Sequence, residues 1–295
     1  MKNKTASLYS LGFALIAILL TVIILLSNTY TVYPSNIPQK TIIEHMLFDD
    51  SSIFQKESSS YSAPMVCRVT HIWTAVFLPM LTAIPFLLLF ASEMKGNYRM
   101  VISRMGSLNK YWNRVFFKSG LLGAGCVTAG YIIYSIAVSL YFPHMKDYPA
   151  ELSANADATE FMLLRQPLNG VLNVLFGNTE SELLYWIPTA VNVFAYSFLV
   201  AVLCLLLYLL IMNRYKAIGM PMIVFYLAEQ FATRKTIETF NSKYQIFSPL
   251  SLMINAQYAF SGYKIGGFLY LLFFALAAAA MYLVGKALFR KRVMN

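Results

Sequence analysis

Residues 71–142 read HIWTAVFLPMLTAIPFLLLFASEMKGNYRMVISRMGSLNKYWNRVFFKSGLLGAGCVTAGYIIYSIAVSLYF. Two apolar runs flank a basic connector. Each run approaches or exceeds the roughly 20 apolar residues that a helix needs to cross a bilayer. The connector, 92–118, holds Lys95, Arg99, Arg104, Lys110, Arg114 and Lys118 against one acid, Glu93. Such clustering beside an apolar segment is how membrane proteins fix their orientation.

The rest of the chain follows the same plan. It has 295 residues, of which 58% are hydrophobic and 12% charged. Soluble domains carry roughly 25% charged residues, so this composition fits a single membrane domain over 1–295. The fold class expected is an all-α polytopic membrane protein with six transmembrane helices. The spans fall at about 8–26, 71–91, 120–142, 184–212, 217–232 and 265–288. The outer regions are 28–70, 143–183 and 233–264. The N-terminal apolar run, with no small-x-small cleavage site after it, reads as an uncleaved first span. Cys67, Cys126 and Cys204 are far apart and odd in number, which argues against a disulfide framework.

Charge sorts the loops. With the N-terminus inside, fourteen of the 23 cations face the cytoplasm: Lys2, Lys4, the six connector cations, Arg214, Lys216, Lys286, Arg290, Lys291 and Arg292. Glu93 is the one acid of 13 on that side. The expectation is a multi-pass protein of the cell membrane with both termini cytoplasmic. The net charge of +10 is thereby explained as orienting charge, without nucleic acid as a partner.

No catalytic constellation emerges. The chain has no GxxxxGK[ST], HExxH or GxSxG motif. Among His45, His71 and His144, none is read as having a second ligand four residues on, so no metal site is expected. Aspartates are absent from the spans, and Glu229 is the nearest acid to membrane depth; it reads as a residue facing water at the interface. Thr82, Thr128, Ser135, Asn192 and Ser197 read as helix-packing residues. Gly120, Gly123, Gly125 and Gly130 permit close helix approach, either at a dimer seam or inside the bundle. Two stretches read as interfacial. "TIIEHMLF" is a short amphipathic helix, and 143–183 suits one or two surface helices. The stretch after the fifth span, interrupted by Pro249, reads as a re-entrant or interfacial helical pair.

Spacing adds detail to the connector. Tyr98, Val101, Ile102 and Met105 follow i, i+3, i+4, i+7 and form one apolar stripe. Gly106 breaks that helix, and Ser107 can cap a second one from Leu108. The second carries Tyr111, Trp112 and Val115. Both helices are expected at the cytoplasmic interface, with rings at headgroup level and cations toward phosphate or a partner.

These residues resemble a family pattern. Glu93, Gly96, Ser103–Arg104, Tyr111 and Lys118 look like the E-x-x-x-G…SR…Y…K pattern of ATP-binding-cassette type-2 permeases. The glycine here follows Glu93 by three positions instead of four. The resemblance covers about thirty residues by motif and the whole chain by topology, including short outer helices after the fifth span at "FSPLSLM". It implies cytoplasmic coupling helices between spans 2 and 3 that dock on separate ATPase subunits. Carried over to this chain, Glu93, Arg104 and Tyr111 match the pattern, and Arg99 and Trp112 join them by face and location. The resemblance further implies a second permease subunit and contact with membrane lipid. It places ATP and Mg in the partner ATPase, with no cofactor in this chain. The function implied is the permease subunit of an exporter of a peptide, lipid or antimicrobial-type substrate, and not an enzyme. The alternative is a non-transporting assembly or sensor protein whose basic interfacial helix binds lipid. An intramembrane enzyme is disfavoured by the lack of paired ionisable groups.

Overall fold

The computed structural model describes residues 2–30, 39–57, 61–68, 72–96, 107–144, 183–239, 242–254 and 268–294. Helix α1 (Lys2–Leu26) leads to a two-stranded antiparallel ribbon, β1 (Thr29–Tyr30) with β2 (Lys40–Thr41), in which Thr29 faces Thr41. Three short helices follow: α2 (Ile42–Phe48), α3 (Ser51–Glu57) and α4 (Ala63–Arg68). The long elements are α5 (Ile72–Ala83), α6 (Leu87–Gly96), α7 (Leu108–Tyr141), α8 (Leu183–Ile211) and α9 (Arg214–Thr239). A 3-10 turn (Ser242–Phe247), α10 (Pro249–Ile254) and α11 (Phe268–Met294) complete the described chain.

Four stretches are long and apolar enough to cross a membrane: Tyr9–Leu26, Leu108–Tyr141, Thr189–Ile211 and Leu272–Arg292. The α5–α6 pair adds a fifth if its arms, bent by 45°, form one span. Pro85 sits in that break. It lacks an N–H, and its ring crowds the preceding turn, so the helix bends there. Helix α9 has 26 residues and extends past both ends of the expected 217–232 span. Glu229 and its charged ends leave it less apolar than the other four. By length and composition, the chain is an all-α membrane protein.

Helices α7 and α8 form the centre. Half of the α7 window and 61% of the α8 window are buried, against 17% for α1 and for α11. The glycines of α7 explain the close packing. A Cβ on Gly123 would lie 2.5 Å from the Thr82 carbonyl oxygen of α5, and one on Gly130 would lie 2.6 Å from Thr21 Cβ of α1. Gly120 is closed off by the Phe198 ring of α8. These three glycines therefore serve packing inside the bundle, while Gly125 faces open space.

The α7 helix also departs from expectation. Ser107 caps it as predicted, with Ser107 Oγ accepting from Lys110 N at 3.2 Å. It then runs unbroken for 34 residues, about 51 Å at 1.5 Å per residue. The second connector helix and the third span are one element. The stripe predicted at Tyr98–Met105 and most of 143–183 lie outside the described residues.

At the far end of α7, a small cap closes the bundle. Thr41 and Glu44 form a reciprocal capping box at the start of α2, so "TIIEHMLF" is a helix as expected. Its buried face, Ile42 and His45, turns inward. The Tyr141 hydroxyl, on the last residue of α7, donates to the His45 and Asp49 carbonyls. Asp49 lies four residues from His45, and its Oδ2 is 2.6 Å from His45 Nδ1. The sequence reading missed this pair. No cluster of three or more metal-ligating acids, histidines or cysteines occurs among the described residues.

Two acids of the cap titrate low. Glu44 is lowered chiefly by the Thr41 backbone N–H and then by its hydroxyl. Burial alone would raise Asp49, but hydrogen bonds from Lys40 and His45 together outweigh it. A carboxylate with a depressed folded pKa stabilises above its unfolded value and loses that contribution as pH falls through the folded one. Hydrogen exchange across 40–57, corrected for intrinsic rate, should therefore rise as the pH falls below about 4, where these two carboxylates take up protons.

Candidate functional site at the connector end

The predicted site residues fall into three groups. Glu93 lies in the last turn of α6 and is exposed. Arg99 and Arg104 lie outside the described residues. Tyr111 and Trp112 are 2% and 1% exposed, so their rings are packed against the bundle and are not open to solvent or lipid. The apolar spacing that marked an interfacial helix is instead the spacing of a helix packed on a distant partner.

That partner is α11. Phe289 lies between the two rings, 5.5 Å from Tyr111 and 5.6 Å from Trp112, centroid to centroid. The Trp112 ring also meets Phe116 and Tyr282. One glycine makes room for it: a Cβ on Gly285 would strike the Trp112 indole and Leu206 of α8. Neither Tyr111 Oη nor Trp112 Nε1 has a hydrogen-bond partner among the described residues, so these rings contribute through packing. Aromatic pairs of this kind add about 0.5–1.5 kcal/mol each beyond burial.

Polar contacts fasten the same seam on its exposed side. Tyr282 Oη donates to Asn113 Oδ1 at 2.5 Å, and Arg290 Nη2 donates to Asn109 Oδ1 at 3.1 Å. Arg292 donates to the Leu209 and Leu210 carbonyls at 3.0 and 2.7 Å. Those carbonyls end α8, where a helix has unpaired acceptors and partial negative charge. The first turns of α7, the end of α11 and the end of α8 are thus tied into one block. Beneath it, Phe90, Phe116, Leu205 and Tyr208 continue the same apolar cluster.

With the aromatic face turned inward, the charged face is left outward. Lys110, Arg114, Lys118, Lys216, Arg290, Lys291 and Arg292 are exposed. Lys118 Nζ lies 5.7 Å from the Phe86 ring centroid, a cation–π contact between α7 and the bend that separates α5 from α6. The surface suits an acidic groove or phosphate. The sequence pattern located this end of the molecule; it did not reveal Phe289, Gly285 or Arg292, whose roles arise from contacts across more than 80 residues of chain.

A second buried polar group lies toward the cap end. Glu229 does not face water; it is 7% exposed, and Ser248 Oγ sits 2.8 Å from its Oε2. After α9 the chain folds back through the 3-10 turn into α10, consistent with the expected helical pair, and Pro249 opens α10 where a missing N–H costs nothing.

Compared with protein-family models, curated proteins and solved structures, the chain finds no match.

Proposed function

We propose that this chain is the membrane-spanning permease subunit of an ATP-driven exporter of the ATP-binding-cassette type-2 class. In this reading α5–α6 is the second of six spans and α9 the fifth, and both termini lie in the cytoplasm. A second permease copy or homologue completes the path. Separate cytosolic subunits bind ATP and Mg. The cargo is a peptide, lipid or antimicrobial-type compound.

The observation that supports the reading most is the unbroken α7. Its first twelve residues extend about 18 Å beyond the apolar span that begins near Gly120. They are keyed into α11 and, through it, to the end of α8. A push on the connector therefore moves at least three long helices as one body. This arrangement suits a lever, and it refines the role of the site residues. Glu93, Arg99 and Arg104 form the gripped part, while Tyr111 and Trp112 form its root.

The experiment is a double replacement, Glu93→Gln with Arg104→Ala, in the co-expressed complex. Charge-assisted hydrogen bonds at an interface contribute about 1.5–3 kcal/mol, so coupling of ATP hydrolysis to transport should fall at least tenfold. Membrane insertion and thermal stability should match the parent. Unchanged coupling would remove the assignment of these residues.

A further inference from the structure

The fold-back after α9 is held at three places. Phe231 meets the rings of Tyr244 and Phe247 edge-on, at 6.3 and 5.9 Å between centroids. Met253 of α10 is buried in the core cluster that includes Tyr196 and Phe225. Between these apolar contacts stands Ser248, fully buried. Its Oγ lies 3.0 Å from Glu229 Oε1 and 2.8 Å from Oε2. The same oxygen accepts from Ser251 N at 2.9 Å. One hydroxyl thus caps α10 and donates to a carboxylate on α9.

The chemistry makes this contact different from the other two. Apolar packing tolerates sliding, but a hydrogen bond to a buried carboxylate is directional and strong. Glu229 lies fifteen residues into α9, about 22 Å from its connector end, where a carboxylate is retained only with hydrogen-bond partners. Removing the Ser248 hydroxyl takes one of those partners away and uncaps α10 in the same step.

We infer that Glu229 and Ser248 form a latch that holds α10 closed over the cap end of α8 and α9. Glu229 is a positioning residue: it fixes the returning helix and keeps Met253 enclosed. The latch rests on this geometry alone and not on the transport reading.

Maleimide labelling of Met253→Cys in nanodiscs tests it. Cys67, Cys126 and Cys204 are buried, and labelling of the unsubstituted chain supplies their baseline. Ile237→Cys, on an exposed face of α9, gives the open rate, and Val200→Cys, in the core, reports global loosening. Met253→Cys should label far more slowly than Ile237→Cys. Adding Glu229→Ala or Ser248→Ala should raise its rate at least about tenfold, the value of one hydrogen bond to a charged group, with Val200→Cys unchanged. Glu229→Gln keeps an acceptor without the charge and should label at a rate between those of the parent and Glu229→Ala. If Glu229→Ala does not fold, Ser248→Ala alone decides. The latch is overturned if neither variant changes the rate, if Val200→Cys accelerates equally, or if Met253→Cys starts as reactive as Ile237→Cys.

Discussion

Trp112→Ala should destabilise the protein by about 3–5 kcal/mol, and in its background Gly285→Ala should change from harmful to helpful. Trp112 is among the largest fully buried side chains; it meets Tyr282 and Phe289 of α11 in the cluster that also holds Leu205 and Leu206 of α8. Alanine leaves a cavity in a helical seam that cannot collapse without moving both helices. Gly285 supplies the sharper test. Within a helix, glycine is about 1 kcal/mol worse than alanine, so Gly285→Ala would ordinarily stabilise α11. Here its Cβ would land on the indole and on Leu206, and overpacking costs about 1–3 kcal/mol. With the indole removed, the Leu206 methyl still stands in the way; it can turn into the space the indole leaves, so the penalty falls and the propensity gain remains. Denaturation in mixed micelles of the parent, both single variants and the double variant completes the cycle. Additive effects would mean that the indole does not occupy the space beside Gly285.

The second large effect lies at the opposite end. Phe54→Ala should cost about 3–5 kcal/mol, centred on the cap. Phe54 is fully buried, and its ring meets His45, Tyr61, Tyr141 and Phe142 at 5.0–6.2 Å between centroids. Its ring joins α2, the chain before α4 and the end of α7 to its own helix, α3. Removing it should release 40–68 and the adjoining end of α7 to hydrogen exchange while the connector ends of α7 and α8 keep their protection. Loss of protection at the connector end as well would show that both ends unfold together, contrary to the two separate apolar clusters, one joining the cap to the near halves of α7 and α8 and the other at the connector end.

The sequence carried the architecture in its local signals. Every apolar run chosen as a span is helical over most of its described length, the exceptions being the break at 84–86 and the end residues Phe142 and Met212, and Ser107 marked the start of α7 to the residue. These features depend on neighbours within one or two turns. What escaped notice depends on distant chain. The rings of Tyr111 and Trp112 look interfacial until Phe289 is placed against them. Glu229 looks solvent-facing until Ser248 folds back to meet it. Gly285 lies among alanines and reads as another small residue until the indole that needs its space is known. His45 and Asp49 were legible in principle from their spacing of four, but a lone histidine near an apolar segment carries little signal without the Tyr141 hydroxyl that fixes the turn between them.

Over the described part of the connector, Tyr111 and Trp112 are packed into the bundle, and Lys110, Arg114 and Lys118 are exposed. The most direct test places a photo-cross-linking residue at Arg104 in the full chain and purifies it from its native membrane in mild detergent. The account predicts one dominant adduct, a soluble-domain protein carrying a GxxxxGK[ST] phosphate loop, whose vanadate-sensitive ATP hydrolysis co-purifies with the chain. Recovery of the chain with lipid adducts only, and with no co-purifying ATPase, would contradict it and favour a membrane assembly or sensor protein instead.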